Sequence, residues 1–136
     1  MHIALLEDEP SLAQEVKSLL TVAGHTVVHF ADGHAITQGL LKDTFDLFVL
    51  DWHVPGPSGM QVLSHIRQNM KLTSPVVFLT SNSAEEQIVQ ALDAGADDYC
   101  AKPLRSVEFM ARISALQRRL MPQTLAVPEA ELFDGY

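Results

Sequence analysis

The chain has 136 residues, 47% of them hydrophobic and 19% charged, which is the size and composition of one folded domain with a full core. Nine basic against 17 acidic side chains leave a net charge of −8, which argues against nucleic-acid binding by this chain itself, since that needs a basic footprint. No apolar run approaches the ~18 residues of a membrane span, Glu7, Asp8 and Glu9 rule out a signal peptide, and the single Cys100 excludes an internal disulfide and fits a reducing cytoplasm.

His2-Ile3-Ala4-Leu5-Leu6 reads as a short apolar strand that stops at Glu7-Asp8-Glu9. Pro10 follows at a first-turn position, and Leu12, Val16, Leu19 and Leu20 recur with helical spacing up to Gly24. His25 to Phe30 is β-branched and predicts strand two. Ala31 to Lys42 predicts a weaker helix with Ile36, Leu40 and Leu41 on one side. Phe45-Asp46-Leu47-Phe48-Val49-Leu50 is strand three, a near-continuous apolar run suited to burial on both faces of a parallel sheet. It ends in Asp51 and a loop rich in Pro and Gly.

Met60, Val62, Leu63 and Ile66 carry the next helix, and Pro75 to Leu79 is strand four, ending at Thr80-Ser81. Ser83-Ala84-Glu85-Glu86 fits a capping box and starts helix four, through Ile88, Val89 and Leu92 to Gly95. Asp98 to Ala101 is strand five, leading into Lys102-Pro103. Phe109, Ile113, Leu116 and Leu120 form a core-facing stripe on the last helix. The expected fold is α/β, a doubly wound five-stranded parallel sheet with five helices. Met121 onward loses helical period and holds two prolines, so residues 121–136 read as a linker and the start of a missing C-terminal effector domain, with a simple flexible tail as the alternative.

Four strand ends carry polar groups that the apolar runs do not explain: Glu7-Asp8, Asp51, Thr80 and Lys102. In a parallel sheet these ends share one edge, where ligands and chemistry collect. Three carboxylates there repel one another, and a hard divalent cation bound through oxygen relieves them; Mg2+ suits such a site. The Lys102 ammonium and Thr80 hydroxyl complete a set that fits an anionic tetrahedral group on Asp51, hence phosphoryl transfer to a carboxylate nucleophile.

Residues 1–120 resemble the receiver domain of two-component response regulators. The resemblance rests on Leu6-Glu7-Asp8-Glu9, Leu50-Asp51 with Pro55 and Gly59, Leu79-Thr80-Ser81, Gly95-Ala96-Asp97-Asp98-Tyr99 and Lys102-Pro103. Each motif alone is weak, but five in order at their proper strand ends are specific. The resemblance implies a flavodoxin-like receiver fold with Asp51 as phosphoacceptor from a sensor histidine kinase. It implies Mg2+ on Asp8, Asp51 and the backbone carbonyl of His53, with Glu7 holding a metal-bound water. It further implies that Lys102 pairs with the phosphoryl group across a cis bond to Pro103. Thr80 would then swing toward the phosphoryl oxygens, and Tyr99 would turn into the space it leaves, unless that tyrosine simply packs.

The run Gly95 to Leu104, with Glu108 to Ile113 and Arg118-Arg119, is similar to winged-helix (OmpR/PhoB-type) transcriptional regulators. These pair through the helix-four, strand-five, helix-five face, so a phosphorylated homodimer is expected, with Asp97 or Asp98 and Arg112 supplying a cross-subunit ion pair. Ile88 departs from the usual basic residue opposite Glu108, which makes that face weaker or more apolar. Leu104 stands for the usual Phe, and Glu7 for an Asp. DNA would be reached only through a domain absent from this chain.

The alternative within this class is a stand-alone receiver that docks on a target protein when phosphorylated. A metal-dependent phosphohydrolase would want a second acid two residues after Asp51, where this chain has His53, and no Gly-x4-Gly-Lys loop exists. The expectation is therefore a cytoplasmic switch and not an enzyme. Trp52 is either a loop residue or a partner contact, Cys100 a small buried hydrophobe, and the remaining histidines show no ligand spacing.

Overall fold

A computed structural model describes residues 1–81 and 84–120. In chain order the elements are β1 (His2–Leu6), α1 (Pro10–Val22), β2 (Thr26–Phe30), α2 (Gly33–Gly39), β3 (Leu47–Leu50) and α3 (Gly59–Ser64). They continue with β4 (Val76–Thr80), α4 (Glu85–Asp93), β5 (Asp98–Ala101) and α5 (Ser106–Leu120). The five strands form one sheet in the order β2-β1-β3-β4-β5, with every neighbouring pair parallel. The expected doubly wound architecture is present. Because the chain winds from β1 to one side and then returns to the other, β1 and β3 flank the point where the winding reverses, the usual place for a site.

The strand residues alternate between two cores. Ile3, Leu5, Leu47, Val49, Val77 and Leu79 face α1 and α5, where they meet Val16, Leu20, Phe109 and Ile113. Ala4, Leu6, Phe48, Leu50, Val76 and Phe78 face the other way, against Ile36, Val62, Leu63 and Ile66. Burial of both faces is why these strands read as continuous apolar runs and not as alternating ones. Each such Leu, Ile or Phe contributes about 1.5–3 kcal/mol by leaving water.

Helix ends follow local chemistry. Glu9 accepts the Leu12 N–H at 2.6 Å ahead of Pro10, and Asp32 accepts the Ala35 N–H at 2.7 Å. Ser58 and Gln61 form a reciprocal capping box at α3, with bonds of 3.2 and 2.8 Å. The box expected at Ser83 and the linker expected at 121–136 lie outside the described residues.

Several boundaries differ from expectation for identifiable reasons. Strand two starts at Thr26, because the His25 N–H turns back to the Leu20 carbonyl and its buried ring meets the Met1 ammonium at 2.9 Å. Strand three starts at Leu47, since Asp46 bonds His2 through both its N–H and its carboxylate, each at 2.7 Å. The second helix ends at Gly39 and tightens through bonds from Leu41 and Lys42 to Gln38 and Gly39, which turns Leu41 outward to 72% exposure. Leu120 also leaves the expected core stripe, at 44% exposure. On α4 the buried residue is Ala91, whereas Val89 and Leu92 are exposed. After Ser64 the third helix widens into a π-helical turn over His65–Asn69.

Candidate functional site

Glu7 and Asp51 stand at the carboxyl ends of β1 and β3, next to each other because Leu6 pairs with Leu50. Both are buried, at 1% and 5% exposure, while Asp8 is exposed. One carboxylate oxygen from each of the three lies within 4.8 Å of the others. The sheet thus brings the three expected acids together. Lys102 reaches in from beyond β5, its Nζ 2.8 Å from Asp51 Oδ2 and 3.0 Å from Glu7 Oε1. The Lys102 N–H bonds the Thr80 carbonyl at 2.9 Å, and the Lys102–Pro103 peptide is cis, as the resemblance implied. Thr80 is fully buried at the end of β4.

Burial drives the Glu7 carboxyl above its ordinary range, and the Asp51 charge adds to this, against the pull of the Glu9 N–H and Lys102. For Lys102, burial opposes the charge, but hydrogen bonds and attraction from Asp51 and Glu7 outweigh it and hold the ammonium above its ordinary value. Three hard carboxylate donors this close together fit a small divalent ion such as Mg2+. Glu7, Asp8 and Asp51 are the residues able to hold it.

The loop after β3 is fixed by close backbone contact. The Gly59 N–H bonds the Trp52 carbonyl at 2.8 Å, and a Cβ at Gly59 would collide with the Asp51 carbonyl oxygen. His53 is exposed, with its ring stacked beside Trp52. Of the two expectations for Trp52, the loop residue holds: it lies in that loop, with its ring turned inward. It is 9% exposed and packs on Phe78, ring centroids 5.7 Å apart, and Phe78 in turn lies 6.0 Å from Tyr99. Tyr99 is half-buried, and burial followed by the Asp51 charge raises its phenol above the ordinary value.

The family model described as "Response regulator receiver domain" matches residues 3–114. This chain belongs to that family. The receiver is 38% identical over 98% of its length to the phosphate regulon transcriptional regulatory protein PhoB of Shigella flexneri, and 40% identical over 92% to the response regulator PmrA of Pseudomonas aeruginosa. The receiver spans 58% and 56% of these two proteins. Among solved structures it resembles TrrA of Thermotoga maritima in complex with Mg2+ and BeF, at 26% identity and TM-score 0.75, covering 85% of this chain and 97% of that one. One of these relatives bears the name of a transcriptional regulatory protein and the other that of a response regulator protein. No helix among the described residues is long and apolar enough to cross a membrane.

The receiver's expected pairing residues are engaged within one chain. Arg112 Nη1 lies 3.0 Å from both oxygens of Asp98, and its Nε and Nη2 reach Glu108 at 3.2 and 3.0 Å. Asp97 Oδ2 accepts from the Val76 N–H at 2.9 Å and from Arg67 Nη2 at 3.1 Å. Arg67, which the sequence reading passed over, also donates to the carbonyls of Gly95, Leu72 and Ser74, tying the π-helical turn to the α4–β5 connection. Burial pushes the Cys100 thiol up to about 11, with the Asp98 charge adding to the effect.

Proposed function

We propose that this receiver is a phosphorylation switch in which Asp51 accepts a phosphoryl group from a sensor histidine kinase. A carboxylate oxygen of Asp51 forms the new O–P bond as the P–N bond of a kinase phosphohistidine breaks. The observation that supports this best is the Lys102 ammonium, 2.8 Å from Asp51 and 3.0 Å from Glu7 beside a cluster of three acids. Asp8, Asp51 and the His53 carbonyl would hold Mg2+, with Glu7 placed to act on it through water, and the ion would neutralise charge between the acids and the incoming phosphate.

The residues of the chain do the rest. Lys102 anchors Asp51 and then pairs with the phosphoryl oxygens, which add about −1.5 to −2 of charge. The Thr80 hydroxyl is drawn toward those oxygens, and Tyr99, already against Phe78, turns into the space behind it. The α4–β5–α5 surface changes with them and controls homodimer formation, with Asp97, Asp98 and Arg112 at that face. The output is a DNA-binding domain outside this chain, and the setting is cytoplasmic. This reading is supported by the transcriptional role in the name of PhoB and by the length that PhoB and PmrA have beyond the match.

Addition of beryllofluoride with Mg2+, a tetrahedral stand-in for the phosphoryl group, tests the switch. Amide signals of Thr80, Tyr99, α4 and α5 should shift in the wild type and stay in place in Asp51→Asn. Shifts confined to the acid cluster would contradict the switch.

A further inference from the structure

β1 and β2 pair in register as far as Leu6 and Phe30. One step on, Glu7 still donates its N–H to the Phe30 carbonyl at 3.0 Å, but the chain then leaves the sheet toward the Asp32 cap of α2. The Glu7 carbonyl has passed the end of the β2 ladder. A side chain serves it instead: His29 Nε2 lies 2.7 Å from the Glu7 carbonyl oxygen. A carbonyl only accepts, so Nε2 carries the proton and donates.

The position of this bond matters because that carbonyl belongs to the peptide unit joining Glu7 to Asp8. Both acids hang from the plane that His29 holds. Glu7 is fixed again through its carboxylate, which accepts the Glu9 N–H at 3.0 Å and meets Lys102. Asp8 is exposed, so the orientation of its peptide plane sets where its carboxylate aims. We propose that His29 is a positioning residue of the acid cluster, holding the Glu7–Asp8 peptide so that Asp8 faces a divalent cation shared with Asp51. The inference rests on reading the cluster as a Mg2+ site. His29 has little other structural work: it is exposed and sits on the edge strand β2. Its loss leaves both cores intact. Groups that orient metal ligands typically change affinity by about 10–100-fold when removed.

The test is Mg2+ binding without any phosphodonor, by isothermal titration calorimetry and by fluorescence of Trp52, the one tryptophan of the chain. Wild type, His29→Leu and His29→Gln are compared; the Gln amide N–H reaches to about the place of Nε2. His29→Leu should bind Mg2+ about tenfold more weakly. His29→Gln should return close to wild type, with melting temperatures alike in all three. In the metal-free protein the Asp8 amide signal, from the same peptide plane, should move in His29→Leu and return in His29→Gln. Equal Mg2+ affinity in wild type and His29→Leu overturns the inference and leaves the metal site standing, and so does a Gln variant as weak as the Leu variant. Absence of any Mg2+ binding in the wild type overturns both.

Discussion

Lys102 sets the electrostatics at the scale of single residues. It is a cation between two buried carboxylates, so its replacement by Met leaves Glu7 and Asp51 facing each other without that ammonium. Lys102→Met should cost on the order of 3 kcal/mol in urea unfolding at neutral pH, with part of the loss restored by Mg2+. An unchanged midpoint would contradict the burial argument. His25 gives a separate pH signature. Burial, then the Met1 ammonium beside it, holds its imidazole below the ordinary 6.5. The unfolded chain therefore takes up that proton first, so the stability from neutral His25 is complete above pH 6.5 and is lost as pH falls through the lowered value. In His25→Gln the fall of melting temperature below pH 6.5 should be shallower than in wild type. Cys100, buried and held near 11, should resist thiol reagents at pH 8 until the protein unfolds. At this scale the acids and Lys102 were legible because side-chain chemistry at strand ends is written in the sequence. His29 and Arg67 were not, because their partners are largely backbone carbonyls, which leave no mark on residue identity.

Between residue and fold lie the loop after β3 and helix α4. A side chain at Gly59 meets the Asp51 carbonyl, a backbone atom that cannot step aside without moving Asp51 itself. Gly59→Ala should lower stability by more than about 2 kcal/mol and displace Asp51, read by thermal unfolding together with loss of Mg2+ binding. Among the described residues, α4 buries Ala91 alone. Its amides should exchange with deuterium sooner than those of β1, β3 and β4, as expected of an element that a switch moves. Equal protection would remove α4 from the moving surface. Helical spacing placed Leu41 in the core because periodicity carries no information about where a helix ends, and Gly39 closes α2 before Leu41. Apolar residues on α4 were readable as a helix, but only packing shows that Val89 and Leu92 face outward.

Across the whole molecule, the order β2-β1-β3-β4-β5 carries the functional argument. It places the ends of β1 and β3 side by side and turns acids some 44 positions apart in sequence, Glu7 and Asp51, into one site (51 − 7 = 44). Strand content and parallel winding were legible from fully apolar runs alternating with amphipathic segments. The engagement of Asp98 with Arg112 inside one chain was not, since the same residues could equally face a second copy. If phosphorylation drives pairing, light scattering should show a dimer only in the phosphorylated or beryllofluoride-bound receiver. Arg112→Ala should weaken that dimer while leaving Mg2+ binding unchanged. The most direct test of the account is intact-mass spectrometry after incubation with acetyl phosphate, with and without Mg2+, on wild type and Asp51→Asn. The account predicts a gain of one phosphoryl group that requires Mg2+ and vanishes in the variant. No gain under any condition, or an equal gain in Asp51→Asn, would contradict it.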